Sequence, residues 1–105
     1  MFEEEFNKLT ERQQSLMLNW LKHYLQPCKE INYNRPALEL KNCFCCLFFY
    51  VTREQFTCAM SKLGFSVAKN EKLDYVFNVS EKSKMFVDFH IEQKPENTMP
   101  NIPYM

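Results

Sequence analysis

A chain of 105 residues, 46% apolar and carrying ten Phe, five Tyr and one Trp, is long enough for one core and too short for two. Thirteen basic residues balance thirteen acidic ones, which argues against a strongly basic nucleic-acid binder, since affinity for phosphate rests on clustered Lys and Arg. A single Gly speaks against a glycine-rich phosphate loop, and the absence of any low-complexity tract speaks against wholesale disorder.

The charge is unevenly spread. Residues 1–20 set Glu3, Glu4, Glu5 and Glu11 against Lys8 and Arg12, whereas residues 51–84 carry a small basic excess in Arg53, Lys62, Lys69, Lys72, Lys82 and Lys84. The five cysteines, 28, 43, 45, 46 and 58, are odd in number and follow no recognisable signal peptide, so reduced thiols and a cytoplasmic setting are expected. Cys43 to Val51, the longest apolar run, is too short to cross a bilayer, so no membrane role is expected.

In chain order, Phe6, Leu9, Leu16, Met17, Trp20, Leu21, Tyr24 and Leu25 recur at helical spacing. They predict either one long helix or a short turn followed by a helix from Glu11, with Thr10 and Gln13 as a capping box and Pro27 as the stop. Cys28 to Arg35 reads as a polar connection. A second helix runs from Pro36 to about Leu47 through Ala37, Leu38, Leu40, Lys41, Cys43 and Phe44. The aromatic and β-branched run Leu47–Val51 tilts toward an extended segment.

Thr52 and Gln55 give the clearest local signal, a capping box ahead of the apolar stripe Phe56, Ala59, Met60 and Leu63, with Gly64 placed to end the helix. Beyond it Leu73, Tyr75, Phe77 and Val79 alternate with polar residues, as do Met85, Val87, Phe89 and Ile91. This predicts a hairpin with Lys82 and Lys84 at its tip. The expected fold class is α+β, winged-helix-like, with three helices followed by a C-terminal β-hairpin over residues 1–92 and a flexible Pro-containing tail over 93–105.

In that architecture the third helix presents Arg53, Glu54, Thr57, Ser61 and Lys62 outward. Arg53 and Thr57 would reach bases while Lys62, Lys82 and Lys84 meet phosphates, although the same residues also describe a solvated helix face. Cys43 and Cys46, joined by Cys28 or His23, are weighed as zinc ligands and set aside, because paired loop Cys-x-x-Cys units are missing and free Cys among Phe and Leu behaves as a small hydrophobe. His90-Ile91-Glu92 has the local form of a deaminase motif without the Pro-Cys-x-x-Cys that must follow it. No nucleophile elbow or spaced carboxylate pair appears, so neither an enzyme nor a cofactor or metal is expected. Glu3 to Glu5 suit the positive end of a helix better than a mimic of nucleic acid.

The stretch Phe49-Tyr50-Val51-Thr52-Arg53-Glu54-Gln55-Phe56-Thr57-Cys58-Ala59-Met60-Ser61-Lys62-Leu63-Gly64-Phe65, followed by Tyr75-Val76-Phe77-Asn78-Val79-Ser80-Glu81-Lys82-Ser83, resembles small uncharacterised proteins encoded on phages and integrative elements of Gram-positive bacteria. The resemblance spans positions 33–84. It implies a mobile-element accessory protein, adds weight to a DNA-linked role and carries over no catalytic residue. The leading expectation is thus a DNA-binding module in transcription control or element replication. Its alternative is a protein-interaction module, such as an adaptor or an inhibitor of a host defence enzyme. A homodimer joined through the aromatic first helix is a third reading.

Overall fold

Two capping boxes fix where the main helices begin, and the rest of the architecture follows from them. A computed structural model describes residues 1–88. A single helical turn, α1 (Glu3–Phe6), precedes α2 (Glu11–Tyr24), so the short-turn alternative holds. Thr10 Oγ1 accepts from the Gln13 amide at 3.1 Å and Gln13 Oε1 accepts from the Thr10 amide at 2.9 Å, a reciprocal pair that starts α2. Leu25 turns extended two residues before Pro27, ending it.

Then come β1 (Pro27–Pro36), α3 (Ala37–Leu47), α4 (Arg53–Lys62), β2 (Val67–Lys69), β3 (Tyr75–Val79) and α5 (Lys84–Asp88). Thr52 and Gln55 cap α4 as Thr10 and Gln13 cap α2, at 3.0 and 2.9 Å. Gly64 follows with φ of 93°, the left-handed conformation that favours glycine. Phe48 to Val51 join no sheet and simply lead from α3 to α4. The described residues are thus α+β, with five helices and a three-stranded antiparallel sheet ordered β1-β3-β2. Among them no helix is long and apolar enough to cross a membrane.

Two expectations are corrected here. The polar stretch from Cys28 to Arg35 is a strand, paired with β3 and interrupted by two register shifts. Its hydrogen bonds come partly from side chains: Asn32 Nδ2 donates to Val79 O and Asn78 Nδ2 to Cys28 O, each at 2.9 Å. The second correction concerns the hairpin. Residues from Leu73 to Val79 do not pair with a strand starting at Met85; β3 pairs instead with β2, Val67 opposite Phe77 and Lys69 opposite Tyr75. Ser83 explains why. Its hydroxyl donates to Ser80 O at 2.7 Å and accepts from the Gln26 amide at 2.8 Å, turning the chain into α5. Met85 and Phe86 are then both buried, which neighbours on a strand facing one core could not be. Phe89, Ile91, the His90-Ile91-Glu92 motif and the tail 93–105 lie outside the described residues.

α4 is the centre of the core. Gln55 to Met60 are six consecutive buried residues, and at about 100° per residue they wrap the whole circumference of the helix. α1, α2 and α3 all pack on it. From α1, Phe6 enters the core and Glu5 O accepts from Gln55 Nε2 at 3.0 Å. The expected outward position of Thr57 is therefore wrong: its side chain is fully buried. Small polar residues on a short helix read as solvent-facing unless further elements cover them, and here α1, α2 and α3 together surround α4.

Candidate interaction surface

The five residues expected to touch nucleic acid do not converge. Arg53 opens α4 while Lys62 closes it, about 14 Å along the axis at 1.5 Å per residue. The Lys62 ammonium lies 5.3 Å from the Phe6 ring centroid, beside α1. Lys82 sits in the turn after β3, and Lys84 begins α5, 3.3 Å from Asp88, so neither is at a hairpin tip.

Thr57 Oγ1 is buried with no hydrogen-bond partner among the described residues. An orphaned hydroxyl carries its desolvation cost without return, so Thr57→Val should stabilise the fold by about 1 kcal/mol. Thermal denaturation would show this as a midpoint raised by roughly 4–8 °C. A lowered midpoint would mean that the hydroxyl has a partner in solution.

What does converge is a trough bounded by the starts of α3 and α4 and by the β2–β3 turn. Asp74 ties the three together. Its Oδ2 accepts from the Leu38 amide at 3.2 Å, while its Oδ1 faces Arg53 Nη1 at 3.3 Å and accepts from the Tyr75 amide at 2.8 Å. The turn itself is built on Asn70, whose Oδ1 accepts from the amides of Lys72 and Asp74. Leu73 takes a positive φ of 64° there and projects into solvent.

Three open depressions run along this trough, sharing Pro36, Asn70 and Lys72 at one end and Leu38 and Arg53 at the other. Around them Tyr33, Leu38, Tyr50 and Leu73 are 59%, 46%, 70% and 72% exposed. The charges balance: Lys41, Arg53, Lys69 and Lys72 stand with Glu39, Glu54, Glu71 and Asp74. Sequence reasoning placed Leu38 and Lys41 in the second helix, counted Lys69 and Lys72 only toward a basic excess, and gave none of Tyr33, Tyr50, Lys69 and Lys72 a place in a site. The signal for the last two was present in Asn70-Glu71-Lys72-Leu73-Asp74, a polar turn between two short extended runs.

Elsewhere, the aromatics of α2 are engaged within the chain. Trp20 stacks on Tyr24 at 4.7 Å and meets Phe44 and Phe48 edge-on. Burial pushes the Cys43 thiol up, with Cys46 and Glu39 adding to it, and burial also raises Cys58. Among the described residues no group of three or more His, Cys, Asp or Glu is placed to hold a metal ion. No protein-family model, curated protein or solved structure matches the chain.

Proposed function

We propose that this chain is a protein-interaction module on a winged-helix-like frame, engaging one protein partner through the trough. The frame is supported by element order from α2 to β3, helix, strand, two helices and then a two-stranded hairpin, with α1 and α5 added at its ends, and by the sheet order β1-β3-β2. In such a frame the hairpin stands beside the frame's third helix, here α4, and partners meet that side. Fold alone does not choose between DNA and protein.

The observation that carries the choice is the composition of the trough. Exposed Tyr33, Leu38 and Tyr50 surround cations and carboxylates in equal number, while Thr57, one of the two residues expected to read bases, is buried and Arg53, the other, is paired with Asp74. Tyr and Arg dominate binding energy at protein interfaces. A phosphate track needs uncompensated cations, and Glu54 and Glu71 stand in the same trough. The resemblance to phage and mobile-element proteins fits an adaptor or an inhibitor of a host enzyme equally well.

The test is a photoreactive residue placed at Tyr50, with the same residue at Ser15 on the exposed side of α2 as the control, in the cells of origin. A single protein adduct is expected from position 50 and not from 15. With that protein in hand, Tyr50→Ala should weaken binding by roughly 30-fold, the scale of one interface hot spot. A nucleic-acid adduct at position 50, or equal adducts from both positions, would overturn the reading.

A further inference from the structure

We infer that Lys41 is the receptor for a carboxylate side chain of the partner, so that the trough takes an acidic segment flanked by apolar residues. The inference rests on the proposed function above and gives it a chemistry.

Lys41 is only 7% exposed. Buried ammonium groups are rare without a carboxylate, because taking the charge out of water is costly. Here the partners are neutral: Asn42 Oδ1 at 3.2 Å and the face of the Tyr50 ring, 4.8 Å from its centroid. No carboxylate comes within ion-pair distance of Lys41 among the described residues. The contrast with Arg35, the other buried cation among the described residues, is direct. Arg35 lies less than two helical turns earlier in the chain and meets Glu39 and Glu81 at 2.6 Å each.

The unpaired ammonium is not sealed away. Lys41 lines an open depression of about 330 Å³ with Leu38, Tyr50, Thr52, Arg53 and Glu54. The first turn of α4, a ten-residue helix, borders the same space and adds its partial positive charge. Arg53 is already shared with Asp74 and Glu54 borders the same depression, so the depression carries no net charge and what it offers an incoming anion is the single Lys41 ammonium that no carboxylate reaches. A carboxylate supplies one. A row of phosphates would bring several, and Glu54 in the same depression opposes them. Leu38 and Tyr50, which line the same depression, offer apolar surface for the residues next to that carboxylate.

The experiment uses the full chain, labelled with ¹⁵N and titrated at constant ionic strength with three probes: N-acetyl-glutamate N-methylamide, inorganic phosphate and a random DNA duplex. The glutamate derivative should move the amide signals of Lys41, Tyr50 and Arg53 saturably in the millimolar range, as one charge-assisted contact allows. Lys41→Met should abolish that response and raise the denaturation midpoint, since it removes an unpaired buried charge. Lys41→Arg should keep the response. No saturable shift with the carboxylate, tighter binding of phosphate or duplex at the same signals, or an undiminished response in Lys41→Met would each overturn the proposal. A lower midpoint for Lys41→Met would do so as well, by making the ammonium part of the fold. If Tyr50→Ala weakens the crosslinked partner and Lys41→Met does not, the interaction surface stands and the carboxylate site falls.

Discussion

Arg35→Ala is expected to destabilise the fold by about 3–5 kcal/mol, the scale of breaking a buried ion pair from one side. The guanidinium is fully buried and joins four parts of the molecule. Nε and Nη2 grip the two oxygens of Glu81 at 2.8 and 2.6 Å, Nη1 meets Glu39 Oε2 at 2.6 Å, and the Phe86 ring of α5 lies 4.0 Å from Cζ. Burial opposes the charge, but the bonds from Glu81 and Glu39 outweigh it and hold the pKa above its ordinary value, so Arg35 stays charged at any working pH. Alanine would leave a cavity and take away the cation that Glu39 and Glu81 share. Because Glu39 and Glu81 keep 25% and 27% of their side-chain surface in water, the lower end of the range is expected. Arg35→Lys should fall between, since an ammonium keeps the charge but cannot hold Glu81 by two parallel bonds. Urea denaturation would decide it: a loss under about 1 kcal/mol for Arg35→Ala would mean that this cluster does not hold β1, α3 and α5 together.

The sequence shows its helices more plainly than its sheet, and the reason is where their hydrogen bonds come from. α2 and α4 are started by their own neighbours, Thr10 with Gln13 and Thr52 with Gln55, so four residues suffice to see each start. β1 has no such local mark. It becomes a strand because β3 lies beside it, and Asn32 and Asn78 contribute side-chain amides to that pairing. Apolar alternation, the usual sign of a strand, is therefore largely absent from Cys28 to Arg35. The region after Val79 fails the opposite way. Met85 to Ile91 alternates on paper, yet Ser80 and Ser83 turn the chain into α5, where Met85 and Phe86 are buried side by side.

The same distinction governs the trough. Helical spacing does not say which residues at the edge of an apolar stripe face inward: at the start of α3 Ala37 and Leu40 are buried, but Leu38 is 46% exposed and Lys41 is buried. Tyr33 lies on a strand that hydrophobic periodicity does not reveal, and Tyr50 in the link between α3 and α4. Only the placement of Asp74 against Leu38 and Arg53 brings these residues to one side. A site assembled by three backbone segments through one buried carboxylate is legible in coordinates and not in spacing.

Phe6→Ala should release α1 from α4, and it tests whether that cover is a separable part. One helical turn has no stability of its own, since its nucleation cost exceeds its hydrogen bonds. α1 stays in place because Phe6, 1% exposed, enters the core, with Gln55 bonded to Glu5 O and Phe2 edge-on to Tyr75 at 5.7 Å. Truncating such a ring costs about 3–5 kcal/mol when the whole fold must bear it. A terminal turn can instead detach, and the loss is then limited to what α1 contributes. Cys58 distinguishes the two outcomes. It is buried on α4 within reach of the charges of Glu3 and Lys62, and burial pushes its thiol pKa up. If α1 lifts away, Cys58 should be alkylated roughly 100-fold faster than in the parent chain, read by peptide-resolved mass spectrometry against exposed Cys28 and Cys46. Unchanged labelling with a full drop in global stability would make α1 an integral part of the core. Faster labelling with little global loss would make the buried side of α4 a surface that the chain covers for itself.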